Sequence, residues 1–221
     1  MPIDYTISIF LGNARTNRVF ATKDNKMWAF GQRNKTATYV INDDLQFSIG
    51  DEPANLERFG NALGECLGSK FPAMMQSLIG LEKGLKKNSV TGNYARSIAI
   101  SHNLKNESHY DSKDGGYGAS IWIQKDPSKN VENWYFVLPN CSIKGSRGVA
   151  IKLYHGIQIC WNGSELKHCT MDASIDENDS LYGCFMAPKA DFCNNTNGTV
   201  KPKIPSFNRN TLQVSLQNLL K

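Results

Sequence analysis

The sequence lacks the features that mark membrane, fibrous and secreted proteins. No apolar run approaches the ~20 residues that a helix needs to cross a membrane. Glycine does not recur at every third residue and no heptad pattern is sustained, which excludes collagen-like and coiled-coil chains. The N-terminus has neither the charged start nor the apolar core of a signal peptide. We therefore expect an intracellular protein, nuclear or cytoplasmic, without a membrane partner.

Closely spaced cysteine pairs are also absent. The six cysteines include no C-x-x-C motif, and we interpret them as small buried thiols in a reducing compartment. The even spacing of the last four leaves a structural zinc site or disulfides as an alternative. Seven N-x-S/T sequons are typical of a secreted glycoprotein, but a chain rich in Asn, Ser and Thr produces them by chance in turns.

The chain does contain enough apolar residues for a real core. It has 221 residues, of which 40% are hydrophobic, too many for a disordered protein. The 25 Lys and Arg exceed the 20 Asp and Glu, and the net charge of +5 weakly indicates an acidic partner such as nucleic acid. No repeat or linker is visible, so we expect a monomer with one domain over residues 1–221.

Hydrophobic periodicity predicts a β-rich α+β fold. In residues 1–90 a series of short strands is followed by two helices, and residues 91–221 are mostly strands with turn residues between them. Residues 148–161 break at His155-Gly156, which indicates a hairpin. The number and spacing of strands favour a double-stranded β-helix, or jelly roll, with supporting N-terminal helices. The predicted strands are 5–11, 26–30, 37–41, 45–49, 96–101, 118–124, 134–138, 148–154, 157–161 and 181–187, and the predicted helices are 53–67, 72–87 and 210–220.

Histidine is scarce, which makes the placement of each of the four informative. His109 and Asp111 are two residues apart, so on an extended segment their side chains leave the same face. An imidazole and a carboxylate placed in this way can bind one metal ion. A second histidine would complete the two-histidine, one-carboxylate set that is used for non-haem Fe(II) chemistry.

Either His155 or His168 could be that second histidine. His155 precedes an apolar strand at a Gly turn, and His168 follows the same strand and a tight Asn162-Gly163 turn. This order of H-x-D, strands, Gly turn, apolar strand with a terminal aromatic, turn and His resembles the Fe(II)- and 2-oxoglutarate-dependent dioxygenase superfamily. The resemblance favours His168, with Gly156 to Trp161 in the place of the family's Gly-turn segment.

The segment around H-x-D narrows the resemblance. N-L-K-N-E-S-H-Y-D-S-K-D-G (103–115) is similar to the nucleic-acid-modifying AlkB-like and TET/JBP-like enzymes. That resemblance implies a role for Asp114 in orienting the target base, which must be flipped out of the duplex to be reached. Trp122 is a candidate to face the base. Asn103 is a candidate to line the cosubstrate pocket, although an Asx turn would also explain it.

One departure from the family concerns the cation that anchors the far carboxylate of 2-oxoglutarate. Residues 169–188 contain no Arg or Lys, and the first cation after His168 is Lys189. Measured from His155, Lys167 would have the family's spacing. Three explanations stay open: Lys189 reaches the cosubstrate, another strand supplies the cation, or the cosubstrate is ascorbate, as in an algal TET-like branch. The candidate cations from other strands are Arg96, Lys105 and Lys152.

The resemblance thus implies an Fe(II) dioxygenase that oxidises or modifies a methylated base, 5-methylcytosine in DNA being the first choice. His109, Asp111 and His168 would bind Fe(2+), and 2-oxoglutarate or ascorbate would be the cosubstrate. Two alternatives remain: an Fe(II) hydroxylase of a protein side chain or small molecule, and a non-enzymatic jelly-roll binding module.

Overall fold

The computed structural model describes residues 18–19, 26–32, 38–39, 52–73, 75–76, 93–142, 145, 147–191 and 193. The predicted strands at 5–11 and 45–49 and the predicted helix at 210–220 lie outside these residues. Ten strands and a long helix are assigned within them. In chain order they are β1 Arg18–Val19, β2 Lys26–Gln32, β3 Thr38–Tyr39, α1 Glu52–Lys70, β4 Ser97–His102, β5 Tyr117–Gln124, β6 Tyr135–Leu138, β7 Val149–Lys152, β8 Gln158–Asn162, β9 Cys169–Thr170 and β10 Leu181–Met186.

The strands form two antiparallel sheets. The major sheet has the order β1-β2-β4-β10-β5-β8, with β3 also paired to β2, and the minor sheet has the order β7-β6-β9. The chain crosses repeatedly from one sheet to the other, as a double-stranded β-helix requires. The predicted fold class is therefore confirmed: a β-rich jelly-roll core supported by helix.

Helix α1 covers the outer face of the major sheet. Phe59, Leu63 and Leu67 recur at helical spacing and are buried against sheet residues such as Ile98 and Ile121. The helix ends at Lys70, just before Pro72, which has no N–H to continue the hydrogen-bond ladder. The first predicted helix is confirmed. Of the second, residues 72–73 and 75–76 are helical, and the remainder lies outside the described residues.

A second core fills the space between the two sheets. It is rich in aromatic side chains, because the inward residues of β5, β6 and β8 are large: Trp122, Phe136 and Trp161 are each buried. Strand β5 alternates between the two cores, with Ile121 and Ile123 toward α1 and Trp122 toward the minor sheet. Both faces of the major sheet are thus covered, which explains why β5 is buried almost throughout.

The predicted hairpin over 148–161 is wrong. Strand β7 pairs with β6 in the minor sheet, whereas β8 pairs with β5 in the major sheet. The turn at His155-Gly156 therefore carries the chain from one sheet to the other. The same residue types occur in the tight turn of a hairpin and in a turn that crosses between sheets. Gly156 has a positive φ of 83°, which suits either kind of turn.

The cysteines are free thiols in this fold. Burial raises the pKa of the Cys160 thiol to about 11 and that of Cys184 to about 12, so both are protonated near neutral pH. Among the described residues, the last four cysteines form neither a disulfide nor a cluster that could hold zinc. Within the part of the chain that is described, no helix is both long and apolar enough to span a bilayer.

Candidate metal centre

Three potential metal ligands converge at one end of the jelly roll. His109, Asp111 and His168 each offer a ligand atom, and these atoms all lie within 4.8 Å of one another. His109 and Asp111 lie on the loop that follows β4, and His168 immediately precedes β9. The structure therefore brings together the three residues that were predicted to bind iron; that they do so remains a prediction.

Backbone pairing fixes the two histidines opposite each other. The His109 N–H donates to the His168 carbonyl at 2.9 Å, and the His168 N–H donates back to the His109 carbonyl at 3.0 Å. This reciprocal pair is one rung of an antiparallel ladder, so both side chains leave the same face. Asp111 is fixed in the same way, because its N–H donates to the Gly163 carbonyl at 2.8 Å.

Asn106 extends this pairing. Its side-chain Oδ1 accepts a hydrogen bond from the Thr170 N–H at 2.7 Å, and its own N–H donates to the Thr170 carbonyl at 3.2 Å. The loop from Asn106 to Asp111 thus runs antiparallel to the segment from Gly163 to Thr170. An irregular loop is held in the register that a strand would have, and the register places the ligands.

The Nδ1 atom of each imidazole is hydrogen-bonded to a backbone carbonyl. His109 Nδ1 lies 2.9 Å from the Glu107 carbonyl, and His168 Nδ1 lies 2.9 Å from the Leu166 carbonyl. A carbonyl oxygen only accepts, so both Nδ1 atoms must carry the proton. In a neutral ring it is then Nε2 that carries the lone pair. This is the arrangement that metal-binding histidines adopt.

Both Nε2 atoms face the Asp111 carboxylate. His109 Nε2 is 3.6 Å from Asp111 Oδ1, and His168 Nε2 is 3.2 Å from Oδ2. Burial alone would raise the pKa of Asp111, but hydrogen bonds from His109 and His168, together with their charge, outweigh it and hold the pKa well below its usual range. Two nitrogens and one carboxylate converging in this way need a cation between them, either protons on the imidazoles or a metal ion.

The site is closed on one side and open on the other. The His168 side chain is 6% exposed, and its ring packs 5.3 Å from Trp161 and 5.7 Å from Phe136. The His109 and Asp111 side chains are 41% and 30% exposed. Aromatic rings therefore separate the three side chains from the core, while the opposite side is open to solvent.

Asp114 and Lys189, predicted to serve the base and the cosubstrate separately, form an ion pair with each other. Lys189 Nζ lies 2.5 Å from Asp114 Oδ1, and the side chains are only 15% and 3% exposed. Burial raises the pKa of Asp114, and the charge of Lys189 opposes that rise. The Asp114 carboxylate is thus enclosed by protein in this structure.

The remaining candidates each have contacts of their own. The Asn103 Oδ1 accepts the Leu181 N–H at 2.8 Å, so this amide caps β10 from a residue with a φ of 47°. Trp122 is 5% exposed and its ring belongs to the inner core, so its role toward a base stays a prediction. His155 is exposed at the sheet crossing, where its Nδ1 lies 3.0 Å from the Gln124 carbonyl. Of His155 and His168, only the latter joins His109 and Asp111.

The alternative cations also have other surroundings. Lys105 pairs with Asp172 at 2.7 Å on the surface. Lys152 is exposed on the minor sheet, and Arg96 is buried just before β4. Lys189 differs from these three cations because its charge acts on the Asp114 carboxylate. Asp114 in turn interacts electrostatically with Asp111 and His168.

Gly163 was read from the sequence only as a turn residue, yet it shapes the site. A Cβ atom placed there would lie 2.9 Å from Asp111 Oδ2 and 3.2 Å from Asp111 Cβ. A side chain at position 163 would therefore displace the Asp111 carboxylate. The Asn-Gly pair was a visible signal for the turn, but nothing in the sequence connects it to a carboxylate 52 residues earlier. Asn106 was missed for the same reason.

Comparison with solved structures finds likenesses at low identity. NgTET1 in complex with 5mC DNA matches with a TM-score of 0.50 at 13% identity, over 89% of this chain and 70% of that one. A 2OG-Fe(II) oxygenase family oxidoreductase from Burkholderia pseudomallei matches with a TM-score of 0.46 at 14% identity, over 86% and 81%. A full-length Neurospora crassa protein, in complex with alpha-KG and 5-formyluracil, matches with a TM-score of 0.42 at 9% identity, over 85% and 69%.

The sequence itself gives no such match. No protein-family model matches it, and no curated protein matches it significantly. At 13% identity the likeness to NgTET1 is one of architecture. The chain is a double-stranded β-helix protein that shares its fold with NgTET1.

Proposed function

We propose that the protein is a non-haem Fe(II)-dependent dioxygenase that oxidises or modifies a methylated nucleobase, with 5-methylcytosine in DNA as the first candidate. The observation that carries the proposal is the convergence of His109, Asp111 and His168. Both histidines have Nδ1 committed to a backbone carbonyl, and both direct Nε2 at the same carboxylate.

The donor set fits Fe(II). Two imidazole nitrogens and one carboxylate oxygen on adjacent antiparallel segments form the facial set that leaves positions open for other ligands. His109, Asp111 and His168 would hold the ion. When bound, Fe(II) supplies the activation of O2, coupled to oxidation of an organic cosubstrate.

The chain's own residues contribute position and enclosure. The carbonyls of Glu107 and Leu166 orient the two imidazoles and keep their Nδ1 protons in place. The Trp161 and Phe136 rings exclude water from the side of His168 that faces the core. The exposed side, at His109 and Asp111, is where a substrate as large as a flipped base can enter.

Support for a nucleobase substrate comes from the shared fold with NgTET1, which is solved with 5mC DNA, and from the net charge of +5. The cosubstrate that we propose is 2-oxoglutarate, with ascorbate as the alternative. Lys189 is the proposed anchor for a cosubstrate carboxylate. That carboxylate would have to displace or share the Asp114 contact that Lys189 makes at 2.5 Å.

The burial of Asp114 favours a second candidate function. A carboxylate that is 3% exposed and paired with Lys189 cannot reach the exocyclic amine of a base without moving. Without that contact, the same metal centre could serve as a hydroxylase of a protein side chain or a small molecule. Turnover on methylated DNA distinguishes the two candidates.

The test is anaerobic Fe(II) binding by the wild type and by His168→Ala and His155→Ala. We expect His155→Ala to bind one Fe(II) per chain as the wild type does, and His168→Ala to lose tight binding, because of these two histidines only His168 contacts Asp111. O2 and either 2-oxoglutarate or ascorbate are then added with 5-methylcytosine-containing duplex DNA, and nucleosides are measured by mass spectrometry. Equal binding by all three proteins, or no binding by any, would contradict the metal centre; binding without turnover would favour the second candidate.

A further inference from the structure

The indole nitrogen of Trp161 is a buried donor without a hydrogen-bond partner among the described residues. The side chain is 6% exposed, and its Nε1 has no solvent-accessible surface to speak of. Leaving a buried N–H unpaired costs about 1–3 kcal/mol, and native structures contain few such groups. Phenylalanine would fill most of the same space without this cost. We therefore expect the indole N–H to have an acceptor when the protein functions.

The position of Nε1 indicates that partner. A Cβ placed on Gly163 would lie 3.4 Å from Trp161 Nε1 and 2.9 Å from Asp111 Oδ2. Both atoms therefore lie next to the place that a side chain at position 163 would occupy, and glycine leaves that place empty. The indole ring also packs edge-on to His168, with centroids 5.3 Å apart and an angle of 63° between the rings. Trp161 thus contacts one proposed ligand and lies beside another.

Metal binding changes which donors the Asp111 carboxylate has. Without metal, its oxygens face His109 Nε2 at 3.6 Å and His168 Nε2 at 3.2 Å. Once both Nε2 lone pairs bind a metal ion, neither can donate a hydrogen bond to the carboxylate. A carboxylate that binds through one oxygen then leaves the other in need of a donor, and such partners typically come from the protein.

We infer that Trp161 is a positioning residue whose indole N–H donates to the oxygen of Asp111 that does not bind metal. The inference rests on the proposed metal centre. The bond would fix the carboxylate in the orientation that binds the ion, and the indole N–H, which has no partner among the described residues, would gain an acceptor. Outer hydrogen bonds of this kind change metal affinity by about 10- to 100-fold.

The test uses Zn(II), which is diamagnetic and binds the same ligand types. The four tryptophan indoles are followed by ¹H–¹⁵N NMR, and the Trp161 signal is assigned from Trp161→Phe or from contacts with the His168 ring. We expect its N–H proton to move downfield on Zn(II) binding, as a new hydrogen bond forms. We also expect Trp161→Phe to bind Zn(II) at least 10-fold more weakly than the wild type, about the smallest effect of losing such a bond.

Trp134→Phe is the matched control. Trp134 is 3% exposed in the same core, so its replacement makes a similar cavity without removing a donor beside Asp111. An unmoved Trp161 indole in the Zn(II)-bound wild type, or equal affinities in the two variants, would overturn the inference while leaving the metal centre in place. The wild-type NMR result stands even if Trp161→Phe does not fold. Failure of the wild type to bind Zn(II) would overturn the metal centre and this inference together.

Discussion

Gly163→Ala adds one methyl group at the point where the proposed metal centre is tightest. The new Cβ would lie 2.9 Å from Asp111 Oδ2, 3.2 Å from Asp111 Cβ and 3.4 Å from Trp161 Nε1. The 3.4 Å distance is an ordinary contact, but Cβ atoms do not lie 2.9 Å from an oxygen and rarely lie 3.2 Å from a carbon, so the Asp111 side chain must retreat. Its backbone cannot follow easily, because the Asp111 N–H is bonded to the carbonyl of Gly163 itself.

The cost can be estimated from the contacts that must change. Overpacking by one methyl typically costs about 1–3 kcal/mol of folding stability. The retreat also lengthens the 3.2 Å contact between Asp111 Oδ2 and His168 Nε2, which holds two of the three proposed ligands in register. We therefore expect metal affinity to fall by about 10- to 100-fold, comparable with the loss of an outer-sphere partner.

Thermal unfolding and Zn(II) competition titrations measure the two effects separately. Gly68→Ala is the control, because Gly68 lies within helix α1 and a Cβ there would meet only the Met75 side chain. The distances from that Cβ are 3.7 Å to Met75 Cγ and 4.0 Å to Met75 Cβ, which are ordinary contacts. It should keep wild-type metal affinity and gain up to about 1 kcal/mol from helix propensity. If Gly163→Ala binds Zn(II) as tightly as Gly68→Ala does, the close packing of Gly163 on Asp111 does not position the carboxylate, and the reasoning is refuted.

Further predictions concern the supports of the same site. Lys189→Met should cost about 3 kcal/mol in urea unfolding, because it strands the buried Asp114 charge, and the double variant with Asp114→Asn should recover most of it; a double variant no more stable than the single one would contradict the pairing. Asn106→Ala should cost about 1–3 kcal/mol, since it leaves the Thr170 N–H unpaired, whereas Asn106→Asp keeps the acceptor and should cost less by the same assay. The pKa of Asp111 is lower in the folded protein than its ordinary value of 3.8, so its contribution to stability is present above that value and is lost as the pH falls below it. Acid unfolding of Asp111→Asn should accordingly show a shallower loss of stability between about pH 5 and 2 than the wild type; parallel curves would contradict the shifted pKa.

The parts of the fold that depend on local pattern could be predicted from the sequence. Helix α1 follows from the spacing of Phe59, Leu63 and Leu67, and strand β5 follows from its apolar residues between turn signals. The pairing partners of strands could not be predicted in the same way. Nothing local distinguishes a turn that returns a strand to its own sheet from one that crosses to the other, and so the pattern at His155-Gly156 predicts a hairpin where the chain crosses between sheets.

The candidate site shows the same division. The spacing of His109 and Asp111 identified two candidate ligands, because i and i+2 side chains share a face on any extended segment. Strand β9, only two residues long, was missed, although it positions His168. The family resemblance implies different ligands for Asp114 and Lys189, whereas their contact with each other requires residues 75 positions apart to come together. Contacts of that range are set by tertiary packing, which the local pattern does not contain.

The hydrogen-bonded pair of His109 and His168 joins two layers of the protein. His109 follows β4 of the major sheet, and His168 precedes β9 of the minor sheet. An ion bound by both imidazoles would therefore cross-link the two sheets through residues that are 59 positions apart in the sequence. Resistance to heat and to proteases at this seam would then rise with the concentration of free metal, since each tenfold increase above the dissociation constant adds about 1.4 kcal/mol. The concentration of free metal would then determine the stability of the contact between the two sheets as well as the activity of the proposed site.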